Sequence, residues 1–379
     1  MKKLVIASAL SASAILAHAQ SSVTLYGVID EGLTFTNNSG GHQAYQMSSG
    51  YVAGSRWGLK GTEDLGGGLS AIFTLENGFD VNSGTNGQGG REFGRQAFVG
   101  MSSNQYGAVT LGRQYDSVVD YLAPLTANGA WAGYLFAHPY DNDNTDNSFR
   151  LNNTIKYASP SFGGLRFGGL YGFSNSTNFG NNRSFSLGAS YAYGGLSAAA
   201  AYMKIYNPGG QSAGTLTNDA DFTAAKQTVY GAAIAYSFQS ARVGFAWSHT
   251  RFDSPTSTEY LSGSIAPASG PLGSLSFDNF EVNGRYQITP AVAVVGMYTY
   301  TKGHASSAAG TADPSWHTVG LMGDYSLSKR TDVYLQTVYQ QKSGGSVGSA
   351  LDYAAIPGAS GASSSNRQVA VRLALMHSF

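Results

Sequence analysis

The stretch from Val371 to Phe379, "VRLALMHSF", decides the fold. Read at period two, it places Val371, Leu373, Leu375 and Phe379 on one side and Arg372, Ala374 and Ser378 on the other. That is the alternation of a strand with one apolar and one polar face. Final residues ordinarily fray, so a strand patterned up to its last aromatic is expected to pair with something ordered. The expected partner is the first patterned stretch, "SVTLYGVIDEGLTF", which begins at Ser22.

Other stretches repeat the pattern. In "RSFSLGASYAY" Phe185, Leu187, Ala189, Tyr191 and Tyr193 oppose Ser184, Ser186, Gly188 and Ser190. In "LRFGGLYGF" Leu165, Phe167, Gly169, Tyr171 and Phe173 oppose Arg166, Gly168 and Gly172, and in "RVGFAWSHT" Val243, Phe245 and Trp247 oppose Arg242, Gly244, Ala246 and Ser248. In "FRLNNTIKY" Phe149, Leu151, Ile155 and Tyr157 oppose Arg150, Asn152, Thr154 and Lys156. A soluble sandwich would carry a bulky inner face and a charged outer one. Here the second face is small and polar, which suits a water-filled lumen and leaves the aromatic and aliphatic face for lipid.

The composition agrees. Of 379 residues 42% are hydrophobic and only 12% charged, with 50 glycines, 24 tyrosines and no cysteine, which excludes a disulfide framework and thiolate metal sites. The start, "MKKLVIASALSASAILAHAQ", has Lys2 and Lys3, a short apolar run and Ala17-His18-Ala19, and is expected to be a secretory signal over residues 1–19. Removing Lys2 and Lys3 leaves 20 basic residues against 22 acidic, a net charge of −2, with no basic stripe for nucleic acid. No later run is long enough for a spanning helix, so a membrane form has to be a barrel.

Seven tight turns are expected at 63–68, 103–107, 159–164, 193–195, 238–241, 287–291 and 327–331. Gly/Ser/Asn/Pro-rich loops are expected at 37–42, 80–90, 114–147, 175–182, 206–226, 253–276, 304–314 and 343–365. Seven turns and eight loops join sixteen antiparallel strands, with short turns on one side of the membrane and loops on the other.

At this point "SVTLYGVID", "SRWGLKGTEDLGGGLSAIFTLE", "GRQAFVGMSSNQYGAVTLGRQYD" and "RLALMHSF" resemble Gram-negative general diffusion porins of the beta-proteobacterial type. The resemblance runs over residues 20–379 as one domain, most tightly over 22–122 and the last strand. It implies a homotrimer of transmembrane barrels in the outer membrane, amid lipid and lipopolysaccharide, each with a pore narrowed by a third loop at about 114–147. It also implies recognition by the barrel-assembly machinery through Phe379.

Carried onto matching motifs, the resemblance implies a constriction with Arg56, Arg95 and Arg150. Lys60, which shares the phase of Arg56, and Arg113 at the strand-to-loop junction are further candidates. Asp116 and Asp120, early in the third loop, are the expected acids, although Leu122 to His138 carries no acid or lysine. Clustered guanidiniums bias passage toward anions. The alternative is a substrate-specific channel for a small anion or sugar, with Tyr115, Tyr121, Trp131 and Tyr134 as an aromatic slide. "DNDNTD" (Asp141 to Asp146) lacks the turn glycine and closing glutamate of a calcium loop and reads as a hydrophilic surface loop. No motif proposes an enzyme, a cofactor or a metal site.

Overall fold

The computed structural model describes residues 22–210 and 213–379; the expected signal segment lies outside them. Backbone groups facing lipid have no water to satisfy them, so the strands pair on both edges and the sheet closes. The strands are β1 (Ser22–Ser39), β2 in two pieces (His42–Ser49 and Arg56–Gly66), β3 (Leu69–Gly78), β4 (Gln96–Ser103), β5 (Gly107–Gln114), β6 (Leu151–Ala158), β7 (Leu165–Gly172) and β8 (Ser184–Tyr193). They continue as β9 (Leu196–Tyr206), β10 (Lys226–Phe238), β11 (Ala241–Asp253), β12 (Leu272–Thr289), β13 (Val292–Ser307), β14 in two pieces (Gly310–Ala312 and Pro314–Ser326), β15 (Thr331–Gly344) and β16 (Arg367–Ser378). Sixteen antiparallel strands thus form one closed barrel.

The seam joins β1 to β16, from Val28 opposite Ser378 to Thr36 opposite Ala370. Phe379 continues it: its N–H donates to Gly27 O at 3.0 Å, and Gly27 N–H donates to Phe379 O at 3.1 Å. Along β16 the lipid-side Leu373 is 55% exposed, whereas Arg372 is fully buried on the inner side. Tyr106, Tyr193, Tyr236, Tyr286 and Tyr325 face outward beside the tight turns, forming the girdle at that end.

All seven turns fall where expected. Two of the eight loops tighten into two-residue turns, at Gly40–Gly41 and at 308–309. Gly40 and Gly41 adopt φ of +60° and +101°, which a side chain disfavours. One strand departs from the expected phase. Between the pairs Gly112–Thr154 and Gln114–Leu151, β6 advances one residue more than β5, and Asn153 has φ +57°. This bulge reverses the facing beyond it. Phe149 and Leu151, expected on the lipid side, are instead fully buried within the barrel against Val118, Leu122 and Met203.

The third loop, 115–150 and here called L3, runs inside the barrel. Its first part, Val118, Leu122 and Leu125, packs on the inner faces of β7, β9, β10 and β11. Its tip, with Ala132, Leu135 and Phe136, packs on β13 to β16. Inward glycines make room: Tyr121 sits over the cross-strand pair Gly168 and Gly188, where a Cβ would come within 2.5 Å of it. A Cβ on Gly320 would likewise fall 2.4 Å from Phe136.

The seam is tight at Gly27, where a Cβ would fall 2.4 Å from the Phe379 ring and 2.7 Å from Arg56 O. Overpacking of this kind costs about 1–3 kcal/mol. Gly27→Ala is therefore expected to refold in lower yield and unfold at lower temperature in detergent; native behaviour in both would contradict the packing at the seam.

Candidate functional site

L3 covers one half of the inner wall and leaves a cavity of about 540 Å³ against the other half. Arg56, Arg95 and Arg150 line it together. Arg56 opens the second piece of β2, and Arg95 immediately precedes β4. Arg150 arrives from the end of L3 and lies 5.6 Å over the Tyr115 ring.

The other four expected site residues lie elsewhere. Lys60 is on the inner face of β2, four residues nearer the turn, 5.3 Å over the Tyr26 ring. Arg113 is held at the strand ends by Gly94 O at 2.7 Å, Asn152 Oδ1 at 2.6 Å and the Asp219 carboxylate, and so ties the loop after β9 to β5 and β6. Asp116 is fully buried and accepts from Val118 N at 2.7 Å, Val119 N at 3.3 Å and Asn144 Nδ2 at 2.8 Å, capping the first turn of L3. Asp120 pairs with Lys156 in a separate pocket that opens toward the 159–164 turn.

The acids beside the arginines are others. Glu76, 4% exposed, lies behind them. It accepts from Arg95 Nε at 2.9 Å, Tyr115 OH at 3.0 Å and Tyr26 OH at 2.8 Å, with Arg56 Nε at 3.8 Å. Asp146 of L3 and Glu259, from the loop after β11, line the cavity itself. The alternation in "FTLENGF" offers Glu76 the inner phase, next to the outward Phe73 and Leu75. No sequence pattern marks Glu259, which sits in an irregular loop whose return depends on a short ribbon pairing Phe222–Thr223 with Ser257–Thr258.

"DNDNTD" is not a surface loop. Asp141 to Thr145 are buried where L3 meets β11 and β12. His138 Nδ1 lies 2.7 Å from Asp143 Oδ2, and its Nε2 lies 3.2 Å from Glu281 Oε2. Ser248 donates to the same Asp143 carboxylate, so the carboxylate stands between serine and imidazole. That order gives no activated nucleophile, because the serine proton has no path to the histidine. Among the described residues no group of His, Asp and Glu has the spacing to hold a metal ion.

Burial alone would pull the His138 imidazole down, but the Asp143 and Glu281 carboxylates outweigh it and hold its pKa at about 10. Burial also opposes ionisation of Asp143, yet His138, with Ser248 and Thr145, holds it at about 2. The L3 tip is thus latched to the wall by buried charge, with Glu281 Oε1 also accepting from Ala127 N at 2.8 Å.

A closed barrel of sixteen strands, with an inward loop beside a charged, water-accessible cavity, defines a membrane channel of the porin class. Residues 7–345 match the Gram-negative porin family, and the chain belongs to that family. It is 31% identical over 377 residues to an outer membrane porin protein of Bordetella pertussis, covering 89% of this chain and 94% of that protein. It is 32% identical over 349 residues to outer membrane porin protein 32 of Delftia acidovorans, covering 88% of each. The solved anion-selective porin from Comamonas acidovorans superposes with a TM-score of 0.73 at 24% identity, over 95% of this chain and all of that one. The protein is an outer-membrane porin of Gram-negative type.

The latch has a pH signature. A histidine raised from 6.5 to about 10 adds stability that is complete below pH 6.5 and fades toward pH 10. An aspartate lowered from 3.8 to about 2 adds stability that is complete above pH 3.8 and fades toward pH 2. His138→Gln should therefore lower the unfolding temperature most between about pH 4 and 6.5, and least near pH 10. A deficit that stays constant up to pH 10 would contradict the latch.

Proposed function

We propose that the chain forms a homotrimeric general-diffusion channel whose narrowest cross-section is the arginine-lined cavity, and that it passes anions in preference to cations. The observation that carries this reading is the meeting of Arg56, Arg95 and Arg150 around one cavity. Guanidinium groups stay charged at all working pH values. Of the nearby acids, Glu76 is tied up by two tyrosines and Arg95, behind the surface that ions meet.

Three acids face the cavity. Asp80 accepts from Ser83 Oγ and Ser83 N, each at 2.7 Å, and is held ionised by them, but it is outnumbered by the three arginines. The other two are weakened. Burial, and then the neighbouring Asp141, pushes the Asp146 carboxyl well above the usual carboxylate range. Glu259 stands in the cavity but is hemmed in by the loops around it, and this desolvation pushes its carboxyl up. Fixed positive charge therefore dominates the narrow water column and favours anions.

General diffusion is favoured over an aromatic slide because the L3 rings are engaged separately. Tyr115 bonds Glu76, Tyr121 is seated on glycines, Trp131 lies 5.3 Å from the Arg242 guanidinium and Tyr134 stacks edge-on with Tyr51. Residues 1–19 serve as the export signal in this reading, and the trimer packs through outward apolar side chains such as Val99, Met101 and Leu111. A Vibrio cholerae neighbour of the same fold, OmpT, is known in a trimer form. Lipopolysaccharide surrounds the loop end, and Phe379 serves as the assembly signal.

Bilayer recordings in a salt gradient test this. Native channels should give anion-favouring reversal potentials. Arg56→Ser, Arg95→Ser and Arg150→Ser should each move them toward cations. Raising the pH should do the same, because deprotonation of Asp146 and Glu259 adds negative charge. Cation preference in the native channel, or no response to any of the three substitutions, would overturn the reading.

A further inference from the structure

Strand β2 is broken where it passes the cavity. Between the register pairs Val28–Arg56 and Glu31–Ser49, β1 contributes two residues and β2 six. A simple bulge adds one residue; this break turns Gly50–Ser55 out of the sheet and into the lumen. All six residues line the cavity, on the side that L3 does not cover.

The ledge is built on one side chain. Asp30 is fully buried, and its Oδ2 accepts from Val52 N at 2.7 Å and Ala53 N at 3.0 Å. Its Oδ1 accepts from Tyr334 OH at 2.6 Å and Arg372 Nη2 at 3.1 Å. The Asp30 backbone closes the neck, since Gly50 N donates to its carbonyl at 2.7 Å and Ser55 Oγ accepts from its N–H at 3.1 Å.

From this anchor the ledge reaches both sides of the pore. The Tyr51 ring lies 4.3 Å from the Arg372 guanidinium, and Tyr51 O accepts from Tyr134 N of L3 at 2.7 Å. A Cβ on Gly133 of L3 would fall 1.9 Å from Tyr51 O, so loop and ledge are in closest contact there. On the other side Gly54 O accepts from Arg56 Nη1 at 3.2 Å. A Cβ on Gly54 would fall 2.7 Å from Arg95 Nη1, so the bare glycine is where the Arg95 guanidinium passes.

We propose that Asp30 is a positioning residue for permeation: through the ledge Gly50–Ser55 it fixes the pore's cross-section and the aim of Arg56 and Arg95. The part concerning the arginines rests on the arginine-waist reading above. Asp30 itself touches no permeating ion. It acts by holding a backbone segment that is outside the sheet ladder and would otherwise move freely in water.

Single-channel recording on the full-length trimer, with trimer heat stability measured in parallel, tests this with three variants. Asp30→Asn keeps the shape but loses the charge that Arg372 and two ledge amides share. It should give a larger and noisier open level, with a reversal potential shifted toward cations. Ser55→Ala, which loosens only the neck, should raise the noise without loss of heat stability. Gly54→Ala should keep native heat stability and shift the reversal potential by displacing Arg95. A structural role alone would change heat stability and leave conductance and selectivity native, and native recordings from all three variants would overturn the proposal. Should Asp30→Asn fail to assemble, Ser55→Ala and Gly54→Ala decide. If Arg56→Ser and Arg95→Ser keep the native reversal potential while Asp30→Asn and Ser55→Ala still alter the open level, the arginine reading falls and the control of cross-section stands.

Discussion

Pairing of β1 with β16 is the constraint on which the rest of this structure depends. In hydrocarbon an unpaired sheet edge has no water to turn to, so the barrel exists only if its first and last strands meet. They meet through nine register pairs, continued by the exchange between Gly27 and Phe379. Just inside that seam lie Asp30 and Arg372, both fully buried. Breaking a buried ion pair by removing one partner costs about 3–5 kcal/mol. Here each charge is further satisfied, by backbone amides on Asp30 and by Thr34, Ser48 and Tyr334 on Arg372. Closure and the shape of the lumen therefore share the same residues.

The lumen is not a uniform water column. L3 fills one half, held by apolar contacts along β7 to β16 and by the charged latch at His138. The loop after β15 folds in as well: Leu351, Ala354 and Ile356 are buried against the wall, and Tyr51 reaches the carbonyl of Gly358. What stays wet is the side of β1 to β6, where the arginines stand. Asymmetric filling turns a wide barrel into a narrow, one-sided polar path, and in the proposed arginine waist this places fixed charge close to each permeating ion.

Much of the fold was legible in the sequence because a barrel strand writes its two environments in alternate residues. Leu373 against Arg372, or Phe245 against Gly244, declares lipid and lumen directly. The phase failed at Phe149 and Leu151 because a bulge at Asn153 leaves no strong mark in composition, and both residues are as apolar as any lipid-facing pair. The inward Gly168 and Gly188 were read as lining water, yet Tyr121 lies on both, and a Cβ at either would meet its ring or hydroxyl. Period-two reading distinguishes the two faces of a strand; it cannot distinguish a lumen filled with water from one filled by a loop.

On the basic side of the site, Arg56, Arg95 and Arg150 came from matching motifs and do meet at one cavity, but strand phase supports only Arg56: the run around Arg95 alternates poorly and Arg150 lies beyond the bulge. The acidic side was not legible. Asp116 and Asp120 precede the cavity in sequence but turn into a cap and toward Lys156, whereas Asp146 and Glu259 reach it only after long irregular excursions. Anomalous scattering from crystals of the protein soaked in bromide, with a parallel caesium soak, tests the central claim most directly. The account predicts an ordered bromide among Arg56, Arg95 and Arg150, beside the ledge Gly50–Ser55, and no caesium there. Caesium in that position, or bromide spread along the lumen with no peak between the arginines, would contradict it.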